Sequence, residues 1–576
     1  MNNNKRLQGA DNMNKYAVYH IPDTPYAYGR NIDTLTVRLR TAKKDVKVCK
    51  IFYKDRYDEV NAFNQKNMEI SASTDLFDFF QTDISLFRNR YKYFFELTDF
   101  DGNTYIFDER GIRVGTSESK EITPFQYPYI TKADLYEESE WLQESVAYQI
   151  FVDRFCNGDK SSNLDNIQEW GDENITYRSN FGGDLQGIID HIDYLRNLGI
   201  NLIYLTPIFK SNTNHKYNVT DYYQIDPQFG TLEKAKELVQ KCHENGIRIV
   251  FDAVFNHSGS DFFAFKDVLE NQENSKYKDW YFIDKFPVST ETNSYYTFGN
   301  TQRNMPKLNT NNEEVKEYLL GVSKYWIEEV GIDGWRLDVC DEVDHEFWRA
   351  FKKTIKKANK NAVIIGEIMH EASSFLRGDQ LDSIMNYPFK LAMVDFFAHN
   401  NISAEEFDSV LALNRSLYMD SITKQMWNLI GSHDTMRFLT ECKDDVDRMK
   451  LAISFQFTYL GVPYIYYGDE VGVTGGIDPF SRKCMIWEKD KQNVELLNCY
   501  KDMIKFRKEN KAVVYGEYKT LYCKDNVLVY QRTYEDSVCT FAINNNSHNY
   551  YLQITMDGEF KDIGNLKARE FRIIRN

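Results

Sequence analysis

Arg336 and Asp338 stand two apart at the end of an apolar stretch, residues 331–339, with Ile332, Trp335, Leu337 and Val339 around them. On a strand, positions two apart point to the same side, so guanidinium and carboxylate would face one another. Such a pair is either a structural ion pair or a carboxylate held ionised for use as a nucleophile. Other apolar stretches also end in reactive side chains. Residues 247–251 run into Asp252, Asn256 and His257; residues 362–365 run into Gly366 and Glu367; residues 426–430 run into Ser432, His433 and Asp434. The chemistry this set suits is glycoside cleavage by retention. One carboxylate acts as nucleophile and a second carboxyl as acid and then base, about 5–5.5 Å apart. Arg336 would keep Asp338 ionised. Burial would let Glu367 hold its proton. Asp434 would bind sugar hydroxyls and support a cationic transition state.

These residues need a scaffold that brings strand ends to one rim. From about residue 145 the chain alternates short apolar strand, loop and helix. Strands are expected at 146–151, 202–205, 247–251, 331–339, 362–365, 383–385, 426–430 and 462–467, with helices at 187–198, 232–245 and 313–330. Eight such strands predict a (β/α)8 barrel, whose active sites lie at the C-terminal strand ends. The connection over about 258–310 is long and aromatic-rich, as in a lid or small subdomain. Before the barrel, residues 34–40 alternate with Leu35, Val37 and Leu39 on one face, and residues 101–103 form a hairpin turn. An antiparallel β-sandwich is expected over 1–125, the barrel over 126–511 and a small all-β domain over 512–576.

Composition bounds the partners. The 576 residues are 42% hydrophobic and 27% charged, so the chain is globular. Net charge is −16 with no basic run, which argues against nucleic acid and anionic membranes. No apolar run is long enough to span a bilayer. Residues 1–15 are polar and Asn-rich and do not read as a secretory signal, so a cytoplasmic location is expected. Nine scattered cysteines without Cys-x-x-Cys fit free thiols. No His-Glu-x-x-His spacing is present, which excludes a zinc hydrolase of that type.

The chain resembles the α-amylase family of glycoside hydrolases, and within it the neopullulanase, cyclomaltodextrinase and maltogenic amylase group. The matching segments are residues 252–257, 334–347 (GWRLDVCDEVDHEF), 366–372 (GEIMHEA) and 431–440 (GSHDTMRFLT), together with 305–309 (MPKLN) and 224–231 (QIDPQFGT). The resemblance covers nearly the whole chain. It implies Asp338 as nucleophile, Glu367 as acid/base and Asp434 as transition-state stabiliser. It implies that Arg336, His257 and His433 contact the sugar being cleaved, and that His215 and Tyr217 are the family's His and stacking Tyr. Asp478 and Arg482 would grip the adjacent sugar, and Glu342 would lie on the acceptor side. The implied substrate is an α-1,4-glucan: maltooligosaccharide, cyclodextrin or pullulan. A homodimer is also implied, with no organic cofactor.

The group's calcium loop is matched by Asn157, Asp159, Ser162, Asn163, Gly182 and Asp184. Oxygen ligands of this kind suit calcium. Ser162-Asn163 stands where the group has Asn-Asp, and an Asx turn without metal is the other reading. Met369 stands where the group has Trp, which bears on how a ring or branched glucan is held. Two other functions remain open: an α-glucan transferase using the same three carboxylates, and a non-catalytic glucan-binding protein.

Overall fold

The structure, a computed structural model, describes residues 13–556 and 558–574. The reading of the polar stretch 1–15 lies almost wholly outside them. The chain forms two compact units.

The first unit takes in the described residues up to 138, with 403–423 and 523–525. Its strands pair antiparallel in one nine-stranded sheet. Leu35, Val37 and Leu39 are fully buried and pack against Ile51, Tyr91, Tyr93, Phe95 and Leu97. The alternation in Thr34–Ala42 therefore marks a face turned into a core. The expected hairpin is present between Tyr91–Asp99 and Thr104–Asp108. Asp99 closes it by accepting from the Asp101 and Asn103 amides, with Gly102 at φ +88°. The unit extends past the span read from sequence because Arg38 donates to the carbonyls of Ser416 and Tyr418 and pairs with Asp420. Contacts between residues so distant in sequence leave no local pattern.

The second unit contains a closed barrel of eight parallel strands. They are β1 (Ala147–Ile150), β2 (Leu202–Leu205), β3 (Arg248–Ala253), β4 (Gly334–Leu337), β5 (Val363–Ile368), β6 (Ser383–Asn386), β7 (Trp427–Leu429) and β8 (Val462–Tyr466). Ala147, Leu202, Tyr204, Val250, Val363, Ile365, Trp427 and Tyr464 share its buried core, as expected for strands covered on both faces. Helices follow the predicted periodicity and stop where capping chemistry changes. Thr231 caps Leu232–Glu244 through the Lys234 amide. The helix expected over 313–330 runs as Glu313–Tyr325 and widens into a π turn at Trp326–Val330, ended by Gly331 at φ +82°. That ending moves the start of β4 to Gly334. The helix expected over 187–198 is interrupted at His191.

The long connection after β3 carries the helix Phe263–Asn271 and a set of isolated bridges, His257 with Lys307 and Tyr281 with Leu308 among them. Trp280, Tyr281 and Tyr295 are buried, so these aromatics build the subdomain rather than face solvent. After the barrel, four strands form one sheet, and the hairpin Tyr550–Met556 with Glu559–Leu566 packs its Leu552, Ile554 and Leu566 with Val527, Val529 and Ala542. All nine cysteines are unpaired. No helix among the described residues is long and apolar enough to cross a membrane.

Candidate active site

The reactive side chains meet at the C-terminal rim of the barrel, around a cavity of about 530 Å³. Register explains the convergence. Asp252 on β3 is paired with Arg336 on β4, and Leu337 on β4 with Gly366 on β5, so Arg336, Asp338 and Glu367 leave neighbouring strands at one level.

Arg336 is the hub. Its Nη1 donates to Asp252 Oδ2 at 2.8 Å and to Asp338 Oδ1 at 3.0 Å, and its Nη2 lies 2.5 Å from Glu367 Oε1. Asp252 also accepts from the hydroxyls of Tyr204 and Tyr217 at 2.6 and 3.1 Å. Asp338 Oδ2 is buried and has no hydrogen-bond partner. Glu367 Oε2 accepts from the Val339 amide at 3.1 Å. Val339 has φ +44°, a costly conformation for a β-branched residue that recurs where a site must aim a backbone group.

Three carboxyls on one guanidinium cannot all be ionised without cost. Burial pushes Glu367 up, Arg336 pulls it back and Asp434 repels it. Burial likewise raises Asp338, with Arg336 opposing and Glu367 and Asp252 adding repulsion. Asp252 is pushed up to about 6 by burial against the pull of Arg336. Burial and mutual repulsion both favour a proton on this group, and Arg336 opposes it. The histidines are different. Burial lowers both His215 and His257 to about 3, and His433 well below the usual range. Burial thus favours their neutral, hydrogen-bonding form.

His215, Tyr217, His257, Glu342, Asp478 and Arg482 line the cavity with Asp338, Glu367 and Asp434. Arg482 pairs with Asp434 and Asp478, both at 3.1 Å. Two residues expected to touch the sugar do not line it. Arg336 is fully buried because its guanidinium is taken up by the three carboxyls. His433 is fully buried, with Nδ1 2.7 Å from the Gln149 amide and Nε2 2.6 Å from the Tyr217 hydroxyl. Tyr177, Phe298, Gln302, Met305, Val339, Asp341 and Met369 complete the lining. Met305 and Met369 lie in segments that drew attention in the sequence. Tyr177 comes from a loop with no motif to mark it, and Phe298 from the aromatic-rich connection over 258–310. Lys307, in the 305–309 signature, donates to the Glu342 carbonyl at 3.0 Å and to the Asn256 side chain, tying the subdomain to the rim.

The six candidate metal-loop residues are partly engaged already. Asp184 accepts from the amides of Asp159 and Gly187 at 2.7 and 2.6 Å, the second as a helix cap. Asp159 accepts from the Ser161 amide, and Ser162 donates to the Asp159 and Gln228 carbonyls. Asn157 Oδ1 and Asn163 Oδ1, by contrast, are buried without partners. Both side chains crowd Gly182: a Cβ there would lie 2.3 Å from Asn163 Oδ1 and 2.6 Å from Asn157 Nδ2. Two orphaned amide oxygens on side chains that meet at this glycine fit a hard cation. Among the described residues no cluster of three His, Cys, Asp or Glu forms a further metal site.

The described alpha amylase catalytic domain matches residues 149–516, the alpha amylase N-terminal ig-like domain residues 13–131 and the alpha-amylase C-terminal domain residues 516–567. A cyclomaltodextrinase of Thermoanaerobacter pseudethanolicus is 51% identical over 561 residues, 97% of each chain. Neopullulanase 2 of Thermoactinomyces vulgaris is 44% identical over 92% of this chain and 91% of its own. A solved cyclomaltodextrinase structure superposes with a TM-score of 0.90 at 42% identity, covering 94% of this chain and 93% of that one.

Proposed function

The chain belongs to the α-amylase family of glycoside hydrolases, and on that premise we propose that Asp338, Glu367 and Asp434 carry out retaining cleavage of α-1,4-glucosidic bonds. The observation that carries this reading is the pair of carboxyls on one guanidinium, Asp338 with its second oxygen unengaged and Glu367 held by the Val339 amide. Sharing one guanidinium favours the short separation of a retaining site over one with room for water between the carboxyls.

In the first step Asp338 Oδ2 bonds to the anomeric carbon, the glycosidic C–O bond breaks, and the Glu367 proton passes to the departing oxygen. The product is a β-linked glycosyl-enzyme. In the second step Glu367, now ionised, takes a proton from water as the water oxygen displaces Asp338, and the α-anomer is released. Asp434, paired with Arg482 and beside His433, would hold sugar hydroxyls. Tyr217 would be the platform under the sugar being cleaved. NMR of fresh product tests the reaction: α-anomer is expected first, and initial β-anomer would overturn retention.

The substrates this site suits are maltooligosaccharides, cyclodextrins and pullulan, as the relatives' names suggest. A sugar in place of water on the acceptor side would make the same site a transferase, and Phe298, Met305, Val339 and Met369 are the apolar surfaces on which it would lie. A calcium ion is proposed between Asn157 and Asn163, with Asp159, Ser162, Gly182 and Asp184 around it. Its role would be to brace this loop. A chelator should lower the melting temperature of the wild type and leave an Asn157→Ala/Asn163→Ala variant unmoved. A homodimer in the cytoplasm is proposed on the group resemblance and on a relative named intracellular maltogenic amylase. Light scattering at one subunit mass would contradict the dimer.

A further inference from the structure

Lys216 lies between two residues that line the cavity, yet its own side chain is wholly buried. It sits in the turn between the strands Phe209–Ser211 and Val219–Ile225, with φ +62°. That left-handed backbone lets His215 and Tyr217 face the cavity while the lysine between them turns inward.

The ammonium has a receiver built for it. Nζ lies 2.9 Å from Asp226 Oδ2 and donates to Gln228 Oε1 at 3.0 Å and the Ser211 carbonyl at 3.5 Å, so each of its three protons has an acceptor. It also lies 5.0 Å from the centre of the Phe229 ring. Asp226 is fixed in turn: Oδ2 accepts from the Ser211 amide and Oδ1 from the Gln228 amide. All these groups but Ser211 fall in the signature segment 224–231, which has no residue on the cavity wall. A buried ion pair is a poor source of stability compared with apolar side chains of the same volume. What it supplies is one fixed geometry.

We infer that Lys216 is a positioning residue for Tyr217 and His215, and that Asp226, Gln228 and Phe229 are the receiver of its ammonium. The inference rests on the reading of Tyr217 as the sugar platform. Burial lowers the lysine's own proton affinity and Asp226 opposes that fall; the 2.9 Å contact between them keeps the turn drawn in. Tyr217 then reaches Asp252 and His433 with its hydroxyl, and His215 hydrogen-bonds the Tyr217 amide at 3.1 Å.

The test is a double-mutant cycle with maltotriose, run well below the melting temperature of every variant. Lys216→Met should lower kcat/KM about 10- to 100-fold, the range for an ångström-scale misplacement of a binding group. On a Tyr217→Ala background the same substitution should cost no more than about twofold. Gln228→Ala removes one acceptor and leaves no unpaired charge. It should lower kcat/KM less, in the same direction, again only when Tyr217 is present. Equal fold-losses on both backgrounds would overturn the inference, since Lys216 would then act on overall stability alone. So would wild-type kcat/KM in Lys216→Met when Tyr217→Ala is impaired. An unimpaired Tyr217→Ala would remove the platform reading, and this inference with it.

Discussion

The Tyr217 hydroxyl lies 2.6 Å from His433 Nε2, and the two rings are parallel within 4°. His433 is held from behind by Gln149, and Tyr217 also donates to Asp252. The ring that would lie under the sugar is therefore held from its hydroxyl end by His433 and Asp252. Tyr217→Phe keeps the ring and removes these bonds. The expected result is a fall in kcat/KM on the order of tenfold, the scale of one or two lost buried hydrogen bonds. Wild-type steady-state kinetics in this variant would show the hydroxyl to be dispensable.

Glu367→Gln removes the proton needed by a poor leaving group. General acid catalysis contributes roughly 10²–10⁴-fold, so loss on maltotriose should fall in that range. An α-glucosyl fluoride needs little protonation, and its first step should be largely spared. Pre-steady-state bursts on the two substrates separate these cases. Equal loss on both would remove the acid role from Glu367.

His243 should give stability a pH dependence distant from the chemistry. It hydrogen-bonds Asp333 at 2.7 Å below the barrel, and that bond is the largest cause of its raised pKa. A group whose pKa is raised on folding stabilises the protein fully below its unfolded value of about 6.5. The contribution is lost as pH rises through the higher folded value. The melting temperature of wild type minus that of His243→Gln should be largest at mildly acidic pH and shrink above neutrality. A difference that grows with pH would contradict the sign.

Met369 is half exposed on the cavity wall, where the related group has Trp. Met369→Trp adds a flat face on which a sugar ring can stack. The ratio of kcat/KM on β-cyclodextrin to that on maltotriose should rise. An unchanged ratio would show that this position does not select substrate shape.

How far the sequence reaches depends on where each residue's signal lies. Asp338, Glu367 and Asp434 were legible because each ends an apolar strand, and strand ends meet on one rim in a barrel. Arg336 and His433 were found by the same signal, yet their burial was not, because burial depends on how many partners converge on them in three dimensions. Tyr177 lies on a loop whose path no local pattern specifies, and Phe298 is marked only by the aromatic richness of its long connection. Lys216 carries no such signal for another reason: a lysine in a polar turn reads as solvated, and only the fold brings Asp226 and Gln228 around it. The interruption at His191 and the widened turn at Trp326–Val330 are changes of helix geometry that periodicity alone does not register.

The assignment of nucleophile and acid/base is the centre of this account, and azide tests it most directly. Azide needs no general base. With an α-glucosyl fluoride it should rescue Glu367→Gln by attacking the trapped glycosyl-enzyme, giving an α-glycosyl azide. Asp338→Asn can form no such intermediate, so any azide product there should come by direct displacement with the opposite, β configuration. NMR of the two products reads the difference. An α-azide from the first variant, with a β-azide or no product from the second, is the predicted result. Rescue of both with the same stereochemistry, or full activity in either variant without azide, would contradict it.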